Sequence, residues 1–256
     1  MRINPLFVAL LEREFKNRFL GGVLSPIWWL VQPLLQLAVY ALVFSLFLKI
    51  QLPPKYGTSY LAFLAVGLWP WIAFTESVTR GAGSLIQQGA LITKTQLPRA
   101  WVPLATVSVS FALHFVALCV IVLLLKGLGV AINGWGIFAS LPTWLALYLA
   151  ALGAAWFVSV AQVVIRDVEP MLGPILFLMT FLAPIQFAIE IVPEKFRAYI
   201  YANPFTHAIE RMHEVFLTGP ALPGLTDGYL LLGGAAVACA GYLVFKRVAP
   251  HVDDYL

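Results

Sequence analysis

Residues 27–48 read IWWLVQPLLQLAVYALVFSLFL, twenty-two positions without a single charged side chain. A helix crossing the roughly 30 Å hydrocarbon layer of a membrane needs about 20 such residues, so this stretch predicts a transmembrane span. Arg13, Lys16 and Arg18 precede it in the manner of a signal peptide. The run is nevertheless longer than a signal h-region and no small-x-small cleavage site follows, so it stays a span. The whole chain agrees: of 256 residues 61% are hydrophobic and only 11% charged. A soluble domain needs about a quarter of its residues charged, which excludes an ordinary soluble enzyme as well as a disordered or collagen-like chain. Cys119 and Cys239 both sit in apolar runs and form neither a disulfide framework nor a metal knuckle.

Working outward, five further runs follow at 59–78, 101–125, 142–165, 170–189 and 229–245. The fifth span is punctuated by Pro170, Pro174 and Pro184, so it is expected to kink or break where neighbouring protein satisfies the freed carbonyls. With the N-terminus inside, Arg2, Arg13, Lys16, Arg18, Arg80, Lys94, Arg99, Arg166, Lys246 and Arg247 face the cytoplasm. Lys49, Lys55, Lys126, Lys195, Arg197 and Arg211 then lie outside, and this asymmetry predicts both termini in the cytoplasm. The net charge of +4 is read as orientation, not as a nucleic-acid footprint, and no nucleic-acid partner is expected.

Three segments are not spans. Residues 5–20 repeat Phe7, Leu11, Phe15 and Phe19 on one face, with Arg13, Lys16 and Asn17 opposite. They read as a helix lying on the membrane, either a plain anchor or a lever touching another subunit, with Arg18 near the apolar stripe and obliged to snorkel. The loop after span two keeps Leu85, Ile86, Leu91 and Ile92 and can form one short helix that needs a cover. Between spans five and six, IVPEKFRAYIYANPFTHAIERMHEVFLTG predicts two short helices at the outer interface, broken at Asn203-Pro204. His207, Glu210 and Glu214 then share a face, with Arg211 beside His207.

Catalytic patterns are missing. Lys94-Thr95 follows Thr93 rather than a glycine, so there is no phosphate-binding loop. His207 and His213 are six residues apart and cannot hold a metal together on one helix, and no nucleophile elbow or dinucleotide fingerprint occurs. His114, alone in span three, reads as a hydrogen-bonded packing residue. The acidic residues fall at span ends or outside, which argues against an intramembrane protease and an ion-coupled transporter.

Four stretches in order resemble the permeases of type-2 ABC exporters, in the branch that exports O antigen, capsule and teichoic acid. They are LEREFKNRFLGGVLSPIWWLVQPLLQL (11–37), LITKTQLPRAWVPL (91–104), IRDVEPMLGPILFLMTFLAPIQF (165–187) and the segment from Ile191 already quoted. The resemblance implies a homodimeric channel, a second copy of this chain being one partner and two ABC ATPase subunits the others. ATP and Mg would sit on those subunits, with no cofactor, metal or catalytic residue in this chain. The substrate implied is a lipid-linked glycan leaving the cytoplasmic leaflet of the inner (plasma) membrane. A drug or other small hydrophobic client is the alternative, and a membrane-embedded enzyme on lipid-linked substrates a more distant one.

The expected fold is an all-α integral membrane protein of six transmembrane helices in a single permease domain, 1–256. It comprises an amphipathic interface helix (1–22), spans one to three (27–125) around a cytoplasmic coupling loop (79–100), spans four to six (142–245) with an outer helical segment (190–218), and a cytoplasmic tail (246–256). Glu12, Arg13, Glu14, Lys16, Leu91, Ile92, Lys94 and Arg99 are the expected ATPase contacts, with residues 82–97 the docking element. Arg166 and Asp167 are a coupling pair whose side chains project about 100° apart and should reach different partners. Trp28, Trp29, Trp101 and Trp144 fall at span ends as interface aromatics, leaving Trp69, Trp71 and Trp156 as candidates to line the channel. His207, Glu210, Arg211 and Glu214 are the candidates for an outer gate helix.

Overall fold

The computed structural model describes residues 4–19, 25–57, 59–94, 97–219 and 222–250, all helix and connecting turn with no strand among them. Arg2, Gly21 and Gly22, Thr95 and the residues from 251 lie outside the described residues. In chain order the helices are α1 (Pro5–Phe19), α2 (Ser25–Ala41), α3 (Tyr60–Gln87), α4 (Gly89–Lys94), α5 (Trp101–Gly127), α6 (Gly136–Ala139), α7 (Leu141–Val164), α8 (Val168–Phe181), α9 (Glu194–Tyr201), α10 (Pro204–Leu217) and α11 (Leu225–Val248). A π-helical turn over Leu42–Phe47 prolongs α2. Among the described residues five helices are long and apolar enough to cross a membrane: Ile27–Phe47, α3, α5, α7 and α11. The end of the bundle holding α1 and α4 is called the near end below, and the end holding Tyr60 and Gly127 the far end.

α3 is the axis of the molecule, with most of its length buried. Ser59 caps it by accepting from the amide of Ala62 at 3.3 Å, and Pro70 lies within it. The predicted span 59–78 stops too early: the helix runs on to Gln87, so the first nine residues assigned to the coupling loop are helix. Small and apolar side chains at Gly81, Ala82 and Leu85 are buried against neighbours and keep it going.

α7 and α11 run in the same direction along a seam of small residues. A Cβ added at Gly234 would come 2.4 Å from the carbonyl oxygen of Ala146, and one at Gly241 would come 2.0 Å from that of Gly153. The two contacts are seven residues apart on both helices, which is two helical turns, so the backbones themselves touch twice.

The fifth span differs most from its prediction. α8 is only fourteen residues, about 21 Å of rise, and the chain leaves the helix at Leu182, just before Pro184. Residues 182–188 continue without helix, with Ala183, Ile185 and Ala188 buried. The carbonyls so released find donors elsewhere: Leu182 accepts from the Asn203 side chain at 3.1 Å, Gln186 from the Tyr60 hydroxyl at 2.5 Å, and Glu190 and Val192 from Arg197 at 2.8 and 2.9 Å. A broken helix in an apolar medium demands this accounting.

α9 and α10 are the two predicted helices, broken at Asn203, but α10 does not lie flat across the far end. It stands antiparallel along the far half of α3. Phe205 meets Phe74 at a ring separation of 4.4 Å, His213 bonds the Phe63 carbonyl at 3.0 Å, and Phe216 accepts from the Asn133 amide at 2.8 Å. Asn203 caps α10 through the Phe205 amide, with Pro204 at its first position, where no amide donor is needed.

α1 packs against the bundle. It lies beside α5, Phe7 against Trp101 at 5.5 Å and Arg18 level with Ser110. Its inward face is Leu10 and Glu14 with Phe7, Leu11 and Arg18, while Phe15, expected on the apolar stripe, is 48% exposed. The reason is electrostatic: Glu14 and Arg18 have partners inside, and satisfying them rotates the helix. Leu10 joins a near-end core with Leu85, Ile92, Val102, Val163 and Phe245.

Candidate functional site

Two residues on α1, two on α3 and two on α5 build a charged cluster inside the near half of the bundle. Glu14 accepts from Arg80 at 3.1 Å. One turn further on, Arg18 forms an ion pair with Glu76 and donates to Ser110 Oγ at 2.8 Å. The second oxygen of Glu76 sits 2.6 Å from His114 Nε2, and the His114 carbonyl accepts from the Trp69 indole at 3.1 Å. The Arg18 side chain is only 3% exposed. Burial pulls its guanidinium down to about 10 against the opposing pull of Glu76, so it stays charged at neutral pH. Arg18 therefore does not snorkel to water; it turns into the protein. Glu76 also corrects the placement of the acids at span ends, since it stands well inside the 28-residue α3. His114 is the hydrogen-bonded packing residue expected.

Beside this cluster a groove of about 420 Å³ runs between α2, α3 and α8. Gln32, Gln36, Thr75, Thr79 and Thr180 give it a polar wall, and Trp29 and Trp71 contribute rings. The Trp71 indole donates to Thr180 Oγ1 at 2.7 Å, which holds the ring at the groove. Hydroxyls, amides and aromatic faces in an otherwise apolar bundle suit a hydroxyl-rich client better than a hydrocarbon one. Trp69 is wholly buried within the chain, and Trp156 packs on Tyr242 and donates to the Ala100 carbonyl at 3.0 Å, away from this groove.

At the far end Arg211 points inward, not along the exposed face with His207 and Glu214. Its guanidinium donates to both oxygens of Asp227 on α11 (2.8–3.2 Å), to Glu214 at 2.7 Å and to the Leu222 carbonyl at 2.7 Å. Burial pulls its pKa down, but the bonds to Asp227 and Glu214 outweigh this and hold it above the ordinary value. Thr143 of α7 donates to Asp227 as well, at 3.2 Å. His213 stacks on Phe63 at 3.8 Å, and burial pushes its pKa down to about 3, so the neutral ring donates to the Phe63 carbonyl. His207 is exposed beside the Tyr201 carbonyl, and Glu210, raised by burial, accepts from the Tyr201 hydroxyl at 3.2 Å.

The remaining expected residues divide by exposure. Glu12 and Lys16 form an open i,i+4 pair at 3.8 Å, and Arg13 is exposed. Ile92 is 6% exposed and packs into the near-end core, with Leu91 partly buried against it. The apolar face of α4 is thus covered by the chain itself, while Ile86, Gln87, Ala90, Thr93 and Lys94 look outward and Arg99 is partly buried. Arg166 and Asp167 are both exposed, in the turn between α7 and α8. The Arg18–Glu76–His114 grouping and Asp227 were not singled out from the sequence. Glu76, the one acid within any predicted span, was the available signal.

The family model of the ABC-2 type transporters matches residues 5–217. An "O-antigen export system permease protein RfbA" of Klebsiella pneumoniae is 31% identical over 258 residues, covering 98% of this chain and 95% of the relative. A protein of the same name from Myxococcus xanthus is 27% identical over 82% of this chain and 80% of its own length. The "Polysialic acid transport protein KpsM" of Escherichia coli is 20% identical over 93% of this chain and 91% of its own. The sequence match and the helical bundle agree: this chain belongs to the ABC-2 type transporter family.

Proposed function

We propose that this chain is the channel-forming permease subunit of an ATP-driven exporter that moves a lipid-linked polysaccharide, of O-antigen type, out across the inner membrane. The observation that carries the reading is the 31% identity, over almost the full length of both chains, to a protein named for O-antigen export. The polar groove between α2, α3 and α8 is consistent with a glycan client.

In this reading the chain crosses the membrane six times, α8 and the irregular stretch that follows it to Glu190 together making the fifth crossing. The near end and both termini face the cytoplasm, as the basic residues of α1, Lys94, Arg99 and Arg166 favour. Two copies form the channel, and two ABC ATPase subunits carry ATP and Mg. The outward residues of α3 and α4, namely Ile86, Gln87, Ala90, Thr93 and Lys94, offer the docking surface, joined by Glu12, Arg13 and Lys16 of α1. Arg166 and Asp167 lie on the same side and are free to engage a partner. His207, Glu210 and Glu214 lie on the outward side of α10, where an outer gate would work.

A second reading, export of a small hydrophobic molecule, draws support from an apolar cavity of about 610 Å³ between α7, α10 and α11. One experiment separates them. The permease and its ATPase subunit are reconstituted into vesicles holding a polyprenyl-diphosphate-linked glycan, and ATP-dependent transfer of the glycan across the bilayer is measured. Transfer is expected. ATP hydrolysis that responds to hydrophobic drugs and never moves the glycan would sink the first reading in favour of the second.

A further inference from the structure

The charges joining α1 to α3 follow the same Glu-then-Arg order on two helices that run in opposite directions. Along α1 the sequence is Glu14 then Arg18, and along α3 it is Glu76 then Arg80, each four residues or about one turn apart. Because the two helices pair Glu14 with Arg80 and Arg18 with Glu76, they run antiparallel at this contact. A slip of α1 by one turn, about 5.4 Å, would set Glu14 against Glu76 in one direction and Arg18 against Arg80 in the other. Both alternatives bring like charges together where Arg18 and Glu14 are sheltered from water, so the arrangement resists sliding either way.

The far half of α3 is interlocked with α10 by shape. Phe205 fits between Trp71 and Phe74, with ring separations of 5.1 and 4.4 Å. Two turns nearer the far end, Gly67 lets the His213 ring approach so closely that an added Cβ would lie 2.7 Å from Nε2, and that ring is bonded to Phe63. α5 braces the near half through Ser110 and His114.

We propose that α1, α3 and α10 move as one rigid lever spanning the bundle, with Glu14–Arg80 and Arg18–Glu76 acting as positioning pairs that forbid slip. Force applied to α1 at the near end then displaces the α9–α10 hairpin at the far end directly, while α2 moves relative to the lever. This rests on the exporter reading for the source of the force.

The test uses the complete complex with its ATPase, with Cys119 and Cys239 replaced by alanine. Spin labels are placed at exposed positions, Ala9→Cys with Thr218→Cys for the ends of the lever and Val39→Cys with Thr218→Cys for α2 against it. Labelled protomers are diluted with unlabelled ones so that distances within one protomer are read, without nucleotide and after ATP–vanadate trapping. The Ala9–Thr218 distance is expected to stay constant and the Val39–Thr218 distance to change. A change of about one helical turn in the first, or no change in the second, overturns the lever. In parallel, Glu14→Arg is expected to leave ATP hydrolysis running while export falls at least tenfold, and Glu14→Arg with Arg80→Glu to restore most of it. A double variant that exports no better than the single one, at equal assembled complex, also overturns the proposal. A wild-type complex that hydrolyses ATP without moving glycan would count against the exporter reading alone, since the distances still decide the lever.

Discussion

The side-chain amide of Asn203 donates to the carbonyl of Leu182 at 3.1 Å, joining the tip of the α9–α10 hairpin to the point where α8 ends. The same residue, through its oxygen, caps α10 by accepting from the Phe205 amide. One short side chain thus serves a broken helix and a starting helix at once, and each end of the amide has a separate task.

Substitution separates those tasks. Asn203→Asp keeps the capping oxygen and removes the donor, while Asn203→Ala removes both. A lost cap costs about 1 kcal/mol, and the Leu182 carbonyl left without its donor adds a smaller loss of about 0.5–1.5 kcal/mol. Thermal unfolding of the purified protein should therefore rank wild type above Asp and Asp above Ala. Equal midpoints for all three would remove Asn203 from any structural role.

The seam between α7 and α11 predicts a sharp contrast between two glycines one residue apart. Gly234→Ala drives a Cβ to 2.4 Å from the Ala146 carbonyl oxygen, whereas nothing lies within 4 Å of a Cβ at Gly233. Gly234→Ala and Gly241→Ala should each reduce the yield of folded, monodisperse protein severalfold, with Gly233→Ala unchanged. Size-exclusion profiles after membrane extraction provide the comparison.

His213 gives the far end a dependence on pH. Its folded pKa lies near 3, well below the ordinary histidine value, because burial disfavours the imidazolium. The unfolded chain therefore binds the proton more readily, and the stabilisation is complete above about pH 6.5 and lost as the pH falls toward 3. His213→Gln retains a donor for the Phe63 carbonyl and does not titrate. Unfolding midpoints measured from pH 7 to pH 4 should fall less steeply for the variant; parallel curves would show that His213 does not set the slope.

Arg166 and Asp167 are exposed in the turn between α7 and α8, so whatever they recognise lies outside the described residues of this chain. A positioned partner uses the planar guanidinium fork, which lysine cannot reproduce. Arg166→Lys and Asp167→Asn are each expected to reduce export at normal expression. Wild-type export by both would leave Arg166 as an anchor to lipid phosphates.

The spans were legible in the sequence because uninterrupted apolar length is a one-dimensional property: α5 and α7 fall within two residues of their predicted ends. Pro184 likewise announced the break after α8. The inward face of α1 and the stance of α10 along α3 were not legible, because both depend on partners distant in sequence, Arg18 with Glu76 and His213 with Phe63. The apolar periodicity of α1 gave a face that Glu14 and Arg18 overrule. At α4 the sequence revealed an apolar face but not its cover, since Leu10 and Phe245 come from opposite ends of the chain.

The carboxylate that balances Arg211 belongs to α11, a helix that leaves the ribosome after α10. Until Asp227 arrives, the growing chain carries a guanidinium destined for the interior with its principal counter-charge still unsynthesised. Removing one partner of a buried pair costs about 3–5 kcal/mol, so a chain shortened before Asp227 is penalised at α10, whose own residues are all still present. The docking of α11 is thereby registered at α10 as charge balance, since without it Arg211 keeps Glu214 and the Leu222 carbonyl but loses both oxygens of Asp227.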